Sequence, residues 1–579
     1  MSVPLHIEQS RIEDGDILID KDVPIQMKDG AILYCNVFRP NRAGKFPPII
    51  SFSPYGKDSD VAVDFKRYWD FVLQDHPDVA SNGSTGKYLT WEVPDPERWV
   101  PDGYAIVVVD ARGTGKSPGY YDLMSALETR DVYDVVEWSA KQAWSNGRVG
   151  MLGVSYLAIK QWQVAALQPP SLAAIVPWEG LFDHYRDNLR HGGIFSSFFQ
   201  RLLWDTQITI NQNGNADTPY RDRFTGQSST GLPLNESLRK GNLQNTYRDA
   251  SERRFDDSYY ANRTPRADRI KVPVLSAGNW GGLGLHLRGN IWGYETVASE
   301  EKWLEMHTDT HFGSMYLPEA VKLQKRFLGH YLKGEDTGWT NEPSVLLTVR
   351  DPRGEFRRKE SSWPIASTQW MKHYLDFGNS SVGPDRPSDS AATFEATKTE
   401  VTVWTAPFGA DEEFTGPIAA RIFASSSTED MDLFLTLRIF DKTGTEFTFI
   451  GANDREAPVS QGWLRASHRA LDPERTTAYR PYHPHDREEK LTPGEVYQLD
   501  VEIWPTSIVF PKGWRMALTI GGSDFARPGA TGLMKGSGIF MHDESSDRPT
   551  DVFAGTTTLH SGPSRRSYLL LPSIPRERK

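Results

Sequence analysis

The chain has 579 residues, a formal net charge of −11, 38% hydrophobic and 12% aromatic content, and one cysteine. That length exceeds what one core supports, so two or three domains are expected. The dispersed negative charge argues against nucleic acid as partner, and a lone Cys35 excludes an internal disulfide, which fits a reducing, cytoplasmic setting.

Met1 to Ser10 lacks the pattern of a signal peptide, and no run approaches 18 apolar residues, so neither export nor a membrane span is expected. Residues 16–53 read as strands, with Asp29-Gly30 as a hairpin turn and Cys35 inside a buried strand. Ser53-Pro54-Tyr55-Gly56-Lys57 opens an aromatic-rich loop that runs to about residue 100. Tyr104 to Val109 is an unbroken apolar run, as in a strand covered on both faces. Residues 126–141 have helical periodicity.

Val149 to Leu152 then reads as a strand, Gly153-Val154-Ser155 as a tight turn, and Ile159 to Leu167 as a helix. A serine on a sharp strand-to-helix turn is the geometry of a nucleophile elbow. Leu172 to Pro177 is the next strand, and the strand–helix alternation predicts a parallel α/β sheet. Residues 182–268 break the pattern and read as an insertion over the sheet, helical at 195–210 and 243–260. The sheet resumes with a strand at Val272 to Ala277, a helix at 285–298, a strand at Lys302 to Met306, and a closing helix at 317–332. Beyond about 345, short strands between turn signals predict a β-sandwich or jelly roll, its first strand being Val345 to Val349.

A nucleophilic serine needs a base and a carboxylate that orients the base, on loops at the strands' carboxyl ends. His311 lies on the loop after the last parallel strand, and the order serine then histidine is that of the α/β hydrolases. His307, at the strand's end, reads as buried structure, and His286 as a weaker candidate. Gly113-Thr114-Gly115-Lys116-Ser117 is not a phosphate loop, because Asp110 stands where the first glycine is needed. His483-Pro484-His485-Asp486 lacks further ligands at metal-site spacing and reads as a polar loop. No metal or cofactor is implied.

Several stretches match one family. They are Pro54-Tyr55-Gly56-Lys57, Asp110 to Ser117, Gly147-Arg148-Val149-Gly150 leading to Gly153-Val154-Ser155-Tyr156, Val272-Pro273-Val274-Leu275, Lys302-Trp303-Leu304 before His311, Gly462 to Arg469, and Leu491 to Glu495. On these the chain resembles the CocE/NonD (cocaine esterase-like) serine hydrolases, relatives of the X-Pro dipeptidyl-peptidases and α-amino acid ester hydrolases. The resemblance implies an α/β-hydrolase domain in two parts (1–181 and 269–345), a helical cap (182–268) and a C-terminal jelly roll (346–579). It implies Ser155 as nucleophile, His311 as base, and an oxyanion hole of the Tyr55 hydroxyl and the Tyr156 backbone N–H.

The sequence departs from the family pattern twice. Ala158 stands where the family has glycine. Gly282 stands where it has the catalytic aspartate, and nothing acidic lies in Ser276 to Arg288. A carboxylate on the neighbouring strand's loop could serve instead, which points to Glu179, with Asp183 in reserve and Asp309 poorly placed. The expected function is hydrolysis of a small-molecule ester, or less favourably an amide, with a homodimer as one possible assembly. The aromatics Trp178, Phe195, Phe199, Trp204 and Trp280 are candidates for the substrate pocket, with packed core as the competing reading. The missing aspartate also leaves open a hydrolase fold turned to lyase, cyclase or binding work.

Overall fold

The computed structural model describes residues 7–529 and 538–575. One sheet is built from β1 (Ser10–Asp14), β2 (Ile17–Gln26), β3 (Ile32–Pro40), β4 (Pro48–Ser53), β5 (Ala105–Asp110), β6 (Val149–Val154), β7 (Leu172–Trp178), β8 (Val274–Asn279), β9 (Lys302–His307), β10 (Val345–Val349) and β11 (Phe356–Glu360). Its spatial order is β1-β2-β3-β5-β4-β6-β7-β8-β9-β10-β11. The centre, from β5 through β10, is parallel. Antiparallel strands flank it on both sides.

The apolar runs of β4 to β6 are buried throughout, because both faces are covered. Alternate residues feed two cores. Ile50, Val107 and Met151 pack on one side with Val132 and Val136 of α1 (Ala126–Ala140) and Trp162 of α2 (Tyr156–Ala165). Ile49, Ile106 and Leu152 pack on the other with Phe327 and Leu328 of α4 (Pro318–Leu328), while α3 (Leu287–Thr296) follows β8. The strand order has a direct consequence for the site. Because β4 lies between β5 and β6, the loops that follow β4 and β6 emerge side by side.

The stretch after β4 is more regular than expected, with an amphipathic helix at Lys66–Asp75 and short turns around it. The insertion is less regular. The helix expected over 195–210 begins at Ser197 and passes into a π-turn at Trp204. The one expected over 243–260 is cut after Glu252 and restarts at Ser258, where Asp257 caps a new turn. The boundary placed at 345 needs correction. Val345–Val349 belongs to the hydrolase sheet, pairing in parallel with β9, and Phe356–Glu360 pairs with it in turn. An isolated apolar strand reads the same in either sheet, so only the pairing decides.

A buried ionic network ties the loop after β4 to its surroundings. Lys21 Nζ lies 2.6 Å from Asp58 and 2.6 Å from Asp222. Lys57 Nζ lies 2.5 Å from Asp22 and 2.6 Å from Asp58. Lys116 Nζ contacts Asp22 at 2.8 Å and Asp222 at 3.0 Å. The surrounding ammonium groups hold the Asp58 carboxyl far below its usual range against the cost of burial. Asp222 belongs to the insertion, so this network also pins the cap to the sheet domain. Lys116, from the stretch that mimics a phosphate loop, is consumed here.

The C-terminal strands, nearly all antiparallel, roll into a sandwich of jelly-roll type. Its longest pair is Glu412–Ser426 with Tyr497–Phe510, bulged between Gly416 and Ile418. Ile418, Leu435, Ile503 and Leu518 sit in its core. Among the described residues no helix is long and apolar enough to cross a membrane.

Candidate active site

The sequence Gly153-Val154-Ser155 forces a sharp turn between β6 and α2. Ser155 has φ 57° and ψ −116°, a strained conformation for a residue with a side chain. The strain is held from outside. The Ser155 amide donates to the Trp178 and Glu179 carbonyls, both at 3.1 Å, and the Val154 amide donates to the Glu92 carbonyl at 3.1 Å. Gly153 is required for close approach, since a Cβ there would lie 2.6 Å from that of Leu157. The departure at Ala158 is absorbed by Gly180, where an added Cβ would stand 2.6 Å from the Ala158 methyl.

The Tyr55 hydroxyl approaches that of Ser155, and burial pushes its pKa well up, so it stays neutral. Gly56 beside it has φ 93° and leaves room for Asn211, whose amide donates to the Pro54 carbonyl at 2.5 Å. The Tyr156 backbone N–H is at the start of α2, where helix N–H groups have no internal partner. The Tyr156 side chain points elsewhere. Its hydroxyl donates to Glu128 at 2.6 Å, and Lys160 sits 2.6 Å from the same carboxylate.

Glu179 follows β7 and is fully buried. Its Oε2 lies 2.7 Å from His311 Nδ1. Its Oε1 accepts from Ser314 at 2.7 Å and Asn279 at 3.3 Å and lies 3.1 Å from His307 Nε2. These partners outweigh burial and drive its carboxyl far below the usual range. The ends of β7 and β8 lie side by side, with Trp178 opposite Ala277. Asn279, at the end of β8, whose loop lacks an acid, donates to Glu179.

Asp183 and Asp309 are elsewhere. Asp183 caps the turn that begins at His184 and pairs with Arg186 at 2.8 Å. Asp309 Oδ2 lies 2.5 Å from His76.

His311 stacks on His286, ring centroids 5.0 Å apart. Its backbone N–H donates to the Ala452 carbonyl at 2.9 Å, and the Ala452 amide donates to Gly281. A loop of the C-terminal body therefore seats the histidine. Attraction to Glu179 raises the His311 pKa to about 10 despite burial. His307, held between Glu179 and Glu305 and stacked on Trp178, rises to about 9. Buried His286 is depressed, so it is a neutral ring.

One group in the site escaped the sequence reading. Glu92, on the loop between β4 and β5, is 3% exposed and has φ 65°. Its Oε1 lies 3.3 Å from His311 Nε2. Among the described residues no hydrogen bond joins His311 to Ser155. A lone glutamate in an aperiodic loop carries no signal that separates it from a surface acid.

Comparison with known proteins places the chain as a whole. Residues 29–313 match the X-Pro dipeptidyl-peptidase (S15 family) domain, and residues 337–570 match the X-Pro dipeptidyl-peptidase C-terminal non-catalytic domain. A CocE/NonD family hydrolase from Staphylococcus aureus is 30% identical, with 99% of this chain and 97% of that one covered and a TM-score of 0.84. The chain belongs to the CocE/NonD hydrolase family. The cocaine esterase of a Rhodococcus species is 25% identical over 97% of this chain and all of that one. An α-amino acid ester hydrolase, 16% identical with a TM-score of 0.67, shares the fold. This CocE/NonD hydrolase is a serine ester hydrolase.

Three of the five aromatics expected to line its pocket do not. Phe195 is fully buried with Tyr185 and Tyr260 in a small cap core. Trp280 is fully buried with Trp363, Phe434 and Trp463, its indole donating to the Thr348 carbonyl at 2.7 Å. Trp178 is 1% exposed and donates to Ser314 at 2.9 Å. In each case interior packing consumes the ring. Phe199 and Trp204 are only partly buried, at the edge of the main core. The histidines at 483 and 485 are held by protein groups, His483 between the Ala470 and Asp500 carbonyls and His485 against His468.

Proposed function

We propose that this hydrolase cleaves a small-molecule carboxylic ester through an acyl-enzyme on Ser155. His311 takes the Ser155 proton on Nε2 as Oγ attacks the carbonyl carbon. The carbonyl electrons move onto oxygen, where the Tyr55 hydroxyl and the Tyr156 N–H donate. Collapse expels the alcohol, which takes the proton back from Nε2. Water then repeats the sequence on the acyl group. Glu179 stays ionised and holds Nδ1–H, so the ring presents Nε2.

The observation that carries this reading is the 2.7 Å contact between Glu179 and His311 Nδ1, with the other Glu179 oxygen filled by Ser314, His307 and Asn279. A carboxylate so tethered orients a ring that would otherwise turn freely. A panel of p-nitrophenyl esters, run beside Ser155→Ala and Glu179→Gln, tests it. Wild-type turnover that survives in Ser155→Ala overturns it. Amide cleavage is the second reading, favoured by the match of residues 29–313 to the X-Pro dipeptidyl-peptidase domain. Aminoacyl amides and Xaa-Pro anilides in the same panel decide between the two.

A further inference from the structure

Glu92 is held as firmly as a structural residue yet is bonded unlike one. Its backbone carbonyl accepts from Val154, one residue before the serine. Its carboxyl is buried, with Oε1 3.3 Å from His311 Nε2. Its Oε2 forms no hydrogen bond of normal geometry, although the Trp91 indole N–H approaches the carboxyl. Most buried carboxylates have their oxygens filled, as Glu179 does. An oxygen left unfilled beside the one ring nitrogen that must move a proton calls for a functional reason.

We propose that Glu92 is a positioning residue that holds a proton on the Nε2 side of His311 in the resting enzyme, so that Ser155 attacks only after that proton has left. This rests on the reading of Ser155 and His311 given above. With Glu179 ionised and accepting from Nδ1–H, the Nε2–Glu92 contact shares one proton, carried by the ring or by the carboxyl. In either form Nε2 has no free lone pair for the Ser155 hydroxyl. Loss of that proton to water frees it, and the imidazolium formed during attack then lies between two carboxylates, which stabilise it.

The other ionisable groups around the pair are Tyr55 after β4, Glu179 after β7, His286 stacked on the base, His307 and Glu305 behind Glu179, and Tyr316. Burial keeps the tyrosines and His286 neutral at ordinary pH. Glu92 therefore supplies the only carboxylate against Nε2 among the described residues. Burial raises the Glu92 pKa and the two carboxylates raise that of His311, in keeping with a proton held at this contact.

The test is the pH dependence of Ser155 labelling by an alkyl fluorophosphonate, which needs no knowledge of the substrate. In wild type the rate should climb with pH along a limb above the ordinary histidine range of about 6.5. Glu92→Gln removes the charge that favours the imidazolium, so the limb should fall by about one unit or more. Below the wild-type limb the variant should label about tenfold faster, and above it more slowly, because one unit is a tenfold change in the free-base fraction. Damage to the fold cannot make the enzyme faster at low pH. Glu92→Asp, which draws the carboxylate back, should move the limb the same way.

Superimposable limbs in wild type and a folded Glu92→Gln overturn the proposal. If neither variant folds, the wild-type limb decides, and a limb at or below about 6.5 overturns it. No labelling of Ser155 in folded wild type removes the nucleophile assignment itself, and this inference with it.

Discussion

Two buried ionic clusters flank the loop that carries Tyr55, and they are built on opposite terms. Behind Tyr55, the lysines at 21, 57 and 116 and the aspartates at 22, 58 and 222 are mutually saturated within about a shell of direct contacts. In front, Glu179, His307, His311 and Glu92 leave Glu92 Oε2 unfilled and His311 Nε2 facing an acid rather than the serine. Removing a charge from the saturated cluster strands its partners in a dry interior, so that cluster acts as scaffold. The open cluster keeps its incomplete bonding where protons have to move. Completeness of pairing, more than burial or charge, separates the two.

Substitutions can break or sharpen this contrast. The largest effect should come from Glu179→Gln in the open cluster. Turnover should fall by about 10⁴, the size seen when a triad acid becomes an amide, with the melting temperature nearly kept. Next, Asp58→Asn in the saturated cluster should cost about 3–5 kcal/mol in urea unfolding. If Asp58→Asn proved neutral to stability, the scaffold reading would be lost. Tyr55→Phe, between the clusters, should lower kcat by about 10² to 10³ with KM little changed, read by steady-state kinetics. The smallest effect should be steric. Gly180→Ala, which meets the Ala158 methyl, should destabilise the protein by about 1–3 kcal/mol, and Ala158→Gly on the same chain should restore it.

The elbow was legible because three local signals agree there: an apolar strand, a Gly-X-Ser turn and an apolar helix. His311 stands out by its place on the loop after the strand at Lys302 to Met306, which reads as the last parallel strand although β10 extends the parallel sheet beyond it. Glu179 could be reached only indirectly, from the glycine at 282 and the rule that adjacent parallel strands end together. In the structure Trp178 lies opposite Ala277, which sets Glu179 beside the loop after β8. The aromatic residues misled, because Phe195 and Trp280 read the same in a core as in a pocket. Glu92 was invisible for a different reason. Its position follows from the Val154 amide reaching back to its carbonyl, a contact between residues 62 positions apart that no local pattern encodes. The sheet's far edge escaped for the same kind of reason, since β10 is joined to β9 by pairing across a long connection.

That far edge bears on how the protein keeps from sticking to itself. β11 reads Phe356-Arg357-Arg358-Lys359-Glu360, and its run of charges caps the sheet where another strand could otherwise add. Arg350, just after β10, is stitched to the C-terminal body, donating to the Ser507 carbonyl at 3.2 Å and accepting from the Val509 amide at 2.8 Å. A protease cut near 345 would strip both strands and bare the ladder groups of β9, the strand that leads to His311. The fragment left behind would expose an unpaired strand edge open to its neighbours, so proteolysis at this junction should appear first as aggregation.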